Sequence, residues 1–190
     1  ISKTGGTDED IQARIRKAQQ AFAILCPVWR STAISNNTKL RLFNSNVKSV
    51  LLYGSETWRV IQSSSKRVQT FVNKCLRQIL HLKWFDKVPN ETLWTRAKQQ
   101  PLEIQIRRRK WRWVGHTLRK DPSNITRQAL DWNPQGKRKQ GRPRQTWRRS
   151  LTQELKTSNL TWEAAKRTAR DRRKWRTTVE ALCSTRRKEA

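Results

Sequence analysis

Forty-three lysines and arginines stand against 14 acidic residues in a chain of 190, a formal charge of +29. No other feature limits so strongly what the chain can fold into. Self-repulsion opposes compaction. Only 39 residues are Leu, Ile, Val or Phe, near the composition at which a highly charged chain stays unfolded. Ten tryptophans pull the other way, since each can bury roughly 150–250 Å². The expectation is a modest tryptophan-rich core with polar extensions.

Several classes fall away at once. No stretch approaches about 18 consecutive apolar residues, and no N-terminal run has secretory character. Cys26, Cys75 and Cys183 are odd in number and far apart, which predicts free thiols in a reducing compartment. The charge favours polyanionic partners, nucleic acid foremost. Methionine is absent, so the chain is expected to be a piece of a longer protein.

The charge is uneven. Residues 1–94 carry 15 basic and 6 acidic side chains, and residues 95–190 carry 28 and 8. In the first part, Ile11, Ile15, Ala18, Phe22 and Leu25 recur at helical spacing after a cap at Thr7, with Pro27 ending the run. Leu40, Phe43, Val47, Val50 and Leu51 mark a second helix that Gly54 bends or stops. A third carries Val68, Phe71, Val72, Cys75, Leu76, Ile79 and Leu80, with Ser63, Ser64 and Ser65 as the link before it. Further on, Asn90 and Glu91 open a short helix closed by Pro101. Ile104, Trp111, Val114 and Leu118 pattern another, with Arg107, Arg108, Arg109, Lys110 and Arg112 as its exposed side and Asp121-Pro122 as its end. Trp147, Leu151 and Leu155 mark a helix, and Thr161 caps a last one through Trp162, Ala165, Ala169, Trp175, Val179 and Leu182. The predicted fold is all-α: a helical bundle over 1–83, a basic helical region over 84–132, an extended basic loop over 133–145, and C-terminal helices over 146–190.

Two segments carry the functional signal. Seven of the thirteen residues from 137 to 149 are basic: Lys137, Arg138, Lys139, Arg142, Arg144, Arg148 and Arg149. Extended and basic, the loop suits contact with phosphates regardless of sequence, and Gly141-Arg142-Pro143 at its centre is the type of segment that enters a narrow A·T minor groove. The second segment is Arg107, Arg108, Arg109 and Arg112, followed by Arg119, where guanidinium forks can grip phosphates. Trp111 and Trp113 beside them either stack on unpaired bases or belong to the core. Metal and catalytic readings find no support. Cys75 and His81 lack the paired ligands of a zinc site, and Cys75 lies on an apolar stripe. No acid pair suits two Mg²⁺ ions, and no nucleophile has a base beside it. As a fragment the chain is expected to have no enzymatic activity, no catalytic or metal-binding residue and no cofactor.

The runs RIRKAQQAF, TKLRLFNSNV and LLYGSETW between Asp8 and Trp58 resemble the segment after the polymerase palm in endonuclease–reverse transcriptases of non-LTR retrotransposons. The RR-W-GH-LR pattern at Arg107–Arg119, the GRPRQTWRR run up to Arg149 and the closing WEAAKRTARDRRKWRTTVEALC extend that likeness over nearly the whole chain. The resemblance implies a polymerase thumb over 8–83, then a basic region used on element RNA or target DNA, in a protein that works in the nucleus after assembling on its RNA in the cytoplasm. It implies RNA and DNA as partners, together with an upstream palm domain that would hold the Mg²⁺ ions. The alternative is a free-standing basic nuclear protein that binds DNA or RNA without polymerase activity.

Overall fold

Asp8, Glu9 and Asp10 place three carboxylates in the first turn of α1 (Thr7–Ile24), where the helix dipole favours negative charge. From there Ile11, Ile15, Ala18 and Phe22 turn one face inward. The structure is a computed structural model that describes residues 7–59, 61–132 and 146–184. All regular elements among the described residues are helical, as the periodicity predicts. The chain forms two compact units. The first is built from residues up to Ser55 and from Ile61 to Gln105; the second comprises the chain from Ile106 onward with a short stretch around Trp58.

In the first unit Pro27 ends α1 and opens α2 (Cys26–Arg30), since proline is tolerated in a first turn. Trp29 is buried, donates from Nε1 to the Phe22 carbonyl at 2.8 Å and stacks on the Phe22 ring at 5.1 Å. Ser35 caps α3 (Asn36–Leu42) by accepting from the Thr38 N–H. The helix then widens to a π-helical stretch, Phe43–Lys48, before α4 (Ser49–Leu51). The cause is in the sequence: Ser45 and Asn46 side chains donate to the Leu42 carbonyl at 3.2 and 3.0 Å, competing with the backbone ladder. Phe43, Val47 and Leu51 still face inward, and Gly54 turns the chain at φ +73°.

The third helix, α5 (Gln62–Ile79), starts earlier than expected. Ser63, Ser64 and Ser65 are not a link but its first turn. Ser64 is buried and donates to Asp8 Oδ1 at 2.7 Å, a partner 56 residues away that no local pattern reveals. Val68, Val72, Cys75, Leu76 and Ile79 are its core face. Burial pushes the Cys75 thiol up to about 12, which keeps it protonated on the packed face of the helix. Residues 84–105 belong with this unit and not with the basic region beyond. Leu93 of α6 (Asn90–Arg96) and Ala97 after it are buried, and Trp94 Nε1 donates to Asn73 Oδ1 at 2.8 Å.

The second unit is organised on α7 (Leu102–Leu118) from Ile106 onward. Around it lie α8 (Ile125–Asp131), α9 (Trp147–Thr157), α10 (Trp162–Ala169) and α11 (Arg172–Cys183). The apolar pattern misses α8, which buries Leu130 alone and so shows no period. The helix capped at Thr161 is in fact two. Asp171 accepts from the Arg173 and Lys174 N–H groups at 2.8 and 3.2 Å, a fresh N-cap inside a continuous apolar period. Trp111 and Trp175 are buried edge to face at 6.1 Å. This contact requires Gly115, because a Cβ there would lie 1.9 Å from Trp175 Nε1.

Gly115→Ala is therefore expected to destabilise the chain by about 1–3 kcal/mol despite alanine's higher helix propensity. Denaturant unfolding followed by circular dichroism measures it; an unchanged midpoint would mean that the indole can step aside.

Candidate nucleic-acid interface

Lys110 lies on the segment expected to be wet, yet it is 1% exposed. Its Nζ donates to Glu154 Oε1 at 2.5 Å, and Trp111 Nε1 donates to Glu154 Oε2 at 2.6 Å. Arg107 Nε stands 3.9 Å from the same carboxylate. One acid on α9 thus gathers three donors from little more than a single turn of α7. Burial lowers the Lys110 ammonium below its ordinary range, with Glu154 opposing. The folded unit then binds fewer protons than the unfolded chain, so this group makes stability rise with pH toward the ordinary lysine range.

A second acid sets the register of α7 against α11. Arg108 Nη2 donates to Glu180 Oε2 at 2.8 Å, and Arg112 Nη2 lies 3.7 Å from Glu180 Oε1. Further along, Trp175 Nε1 donates to the Trp111 carbonyl at 3.0 Å. Burial and, after it, the neighbouring Arg172 lower the Arg119 guanidinium. Numbers rise on one helix as they fall on the other, so the pair is antiparallel. The residues one and two turns from the Glu180 contact then follow from helical spacing. Arg109, Arg112 and His116 run along α7, with Arg176 and Arg173 along α11, and all five are exposed.

This stripe spans two turns, about 10 Å, against which B-DNA presents roughly six phosphate charges. Glu180 is the acid that faces it, 3.7 Å from Arg112. All six acids between residues 106 and 184 have internal partners. Asp121 accepts from Ser123, Asp131 from Trp162 and Lys166, and Glu163 from Lys166. Asp171 is a cap, and Glu154 and Glu180 are clamps. Arg172, Arg173 and Lys174 moreover occupy the first turn of α11, the end where the dipole disfavours cations. Helix stability gives no reason for them.

The predicted site residues separate into three groups. Arg109, Arg112 and Arg149 are exposed, Arg112 also pairing with Glu180. Arg107, Arg108, Arg119 and Arg148 are tied to the fold: the first two to Glu154 and Glu180, Arg119 to the Ala169 carbonyl at 2.9 Å, and Arg148 to the Asp131 and Trp132 carbonyls at 3.0 and 3.1 Å. Lys137, Lys139, Arg142 and Arg144 lie outside the described residues. Trp113 meets Trp147 edge to face at 5.9 Å, so both indoles of this cluster serve packing. Sequence reasoning passes over Arg173 and Arg176. The signal is present: seven of the eleven residues from 166 to 176 are basic, denser than the loop before them. Among the described residues no cluster of metal-ligating side chains occurs.

A domain of unknown function, DUF6451, matches residues 21–53, from the last turn of α1 through α4. The chain is also similar to a Caenorhabditis elegans protein described as uncharacterized and transposon-derived, at 27% identity over 171 residues. That alignment takes in 84% of this chain and 61% of the other protein, so the chain spans about three-fifths of that relative's length. No solved structure gives a significant match. The likeness is to a transposon-derived protein, and it extends into both units.

Removing the hub's charge tests its weight. Glu154→Gln leaves Lys110 buried without a counter-charge, and thermal or denaturant unfolding should register a loss of about 3–5 kcal/mol. Pairing it with Lys110→Met should recover most of that, because no buried cation remains and the introduced side-chain amide can still accept from Trp111.

Proposed function

We propose that this chain is the thumb and C-terminal nucleic-acid-binding part of a retrotransposon reverse transcriptase. In this reading the first unit is the thumb, and the second grips the backbone of template–primer or target DNA. RNA-templated synthesis, with its Mg²⁺ ions, belongs to a palm domain outside this chain. The fragment itself positions nucleic acid and catalyses nothing. Its place of action is the nucleus, after assembly with element RNA in the cytoplasm. The observation that carries the reading is the α7/α11 stripe, where Arg109, Arg112, Arg173 and Arg176 are exposed along two antiparallel helices. The likeness to a transposon-derived protein and the YGSETW, GHTLR and GRPRQTWRR runs support the retroelement origin.

Phosphate contacts reveal themselves in salt dependence, log K falling by roughly 0.9 per contact against log salt on B-DNA. Replacing Arg109, Arg112, Arg173 and Arg176 together by Ala should lower that slope by roughly 2–3.5 on duplex DNA, with similar loss across sequences. A slope that does not move would remove the stripe from the interface. The polymerase reading has its own check in the transcript upstream of the Ile1 codon, which should continue in frame into a palm with paired metal-binding aspartates.

A further inference from the structure

Two exposed aromatic residues of the first unit sit side by side. Trp84 is 88% exposed and Phe85 60%, their rings edge to face at 5.8 Å. They are held, not loose. α5 ends with His81 in the left-handed region, its N–H donating to the Gln78 carbonyl while the Leu82 N–H donates to that of Arg77, the Schellman pattern normally built on glycine. Asp86 Oδ2 then accepts from the Lys83 N–H at 2.7 Å, fixing the short turn Trp84–Asp86. A second left-handed residue, Lys87, closes it at φ 47°. Two non-glycine residues in this conformation so close together represent strain of the kind found where a loop must present something. Neither ring serves the core.

Next to the turn is a cleft of about 430 Å³ whose lining includes Arg30, Lys74, Arg77, His81 and Lys83, and no carboxylate. Arg77 is oriented by the Val88 carbonyl and Asn90 Oδ1 at 3.2 and 2.8 Å. Lys83 belongs to both features, lining the cleft and opening the aromatic turn. We propose that the first unit carries a binding site for unpaired nucleic acid, in which Trp84 and Phe85 stack on bases and the basic cleft takes the adjoining phosphates. A base offers each ring a π face whatever its identity, and its backbone supplies the anions. A paired duplex hides its base faces, so stacking selects single strands. A flat anionic membrane would meet the rings but not enter the cleft. This site goes beyond the duplex-gripping stripe of the second unit and shares no residue with it.

The test uses the full chain and fluorescence anisotropy with labelled oligonucleotides of about 12 nucleotides, as single-stranded DNA, single-stranded RNA and blunt duplex. Trp84→Ala with Phe85→Ala should weaken single-strand binding about tenfold or more, with duplex affinity, helical dichroism and melting temperature unchanged. Lys74→Ala with Lys83→Ala should lower the single-strand salt slope by roughly 0.7 per lost contact. The DNA and RNA arms tell which sugar the site takes. Unaltered single-strand affinity, or equal losses on single strand and duplex, overturns the site. So does a loss confined to binding of phosphatidylserine vesicles, which would make the rings a membrane contact. If the aromatic variant is silent while the four-arginine variant still flattens the duplex slope, this site fails and the stripe stands. The reverse pattern removes the stripe alone.

Discussion

Glu154 is the carboxylate on which the second unit depends. In a chain with three basic residues for every acidic one, a half-buried acid that receives an ammonium and an indole N–H settles how two helices meet. It also fixes which part of a basic segment becomes interior. Lys110 goes in and Arg109 and Arg112 stay out, though nothing in their chemistry ranks them so. A lone buried cation would cost several kcal/mol, so the lysine can be inside only because Glu154 arrives from elsewhere in the chain.

The same economy governs the remaining acids. Asp171 divides what the apolar period presents as one helix, Glu180 locks the register of α7 and α11, and Asp131 gathers Trp162 and Lys166. With each acid committed to a cap or an ion pair, the unit's excess of arginine stands at its surface.

Tryptophan fills the interior that scarce aliphatic residues leave open, and in different ways. Trp29, Trp58, Trp111 and Trp175 are buried. The first and last of these direct their N–H to backbone carbonyls, which satisfies the one polar atom that burial would otherwise strand. Trp147 reaches the Glu56 carbonyl at 2.8 Å and gives the second unit its link to the stretch around Trp58. Gly115 is the counterpart of this use of large rings, since an indole can lie so close on a helix only where a side chain is missing. Trp84 serves no core at all.

The helical class, the buried faces of α1 and α5, the Thr161 cap and the surplus of positive charge are all legible in the chain alone. Each is decided by neighbours within a turn or two, where 3.6-residue periodicity and capping chemistry operate. Folding had to occur before Ser64 could meet Asp8, before residues 84–105 could pack with the first unit, and before Lys110 could be inside. The alignment of Arg173 and Arg176 with Arg109 and Arg112 is of the same kind. Those outcomes rest on partners tens of residues away. A charge in the sequence does not say whether it will be neutralised, because that depends on which acid the fold brings beside it.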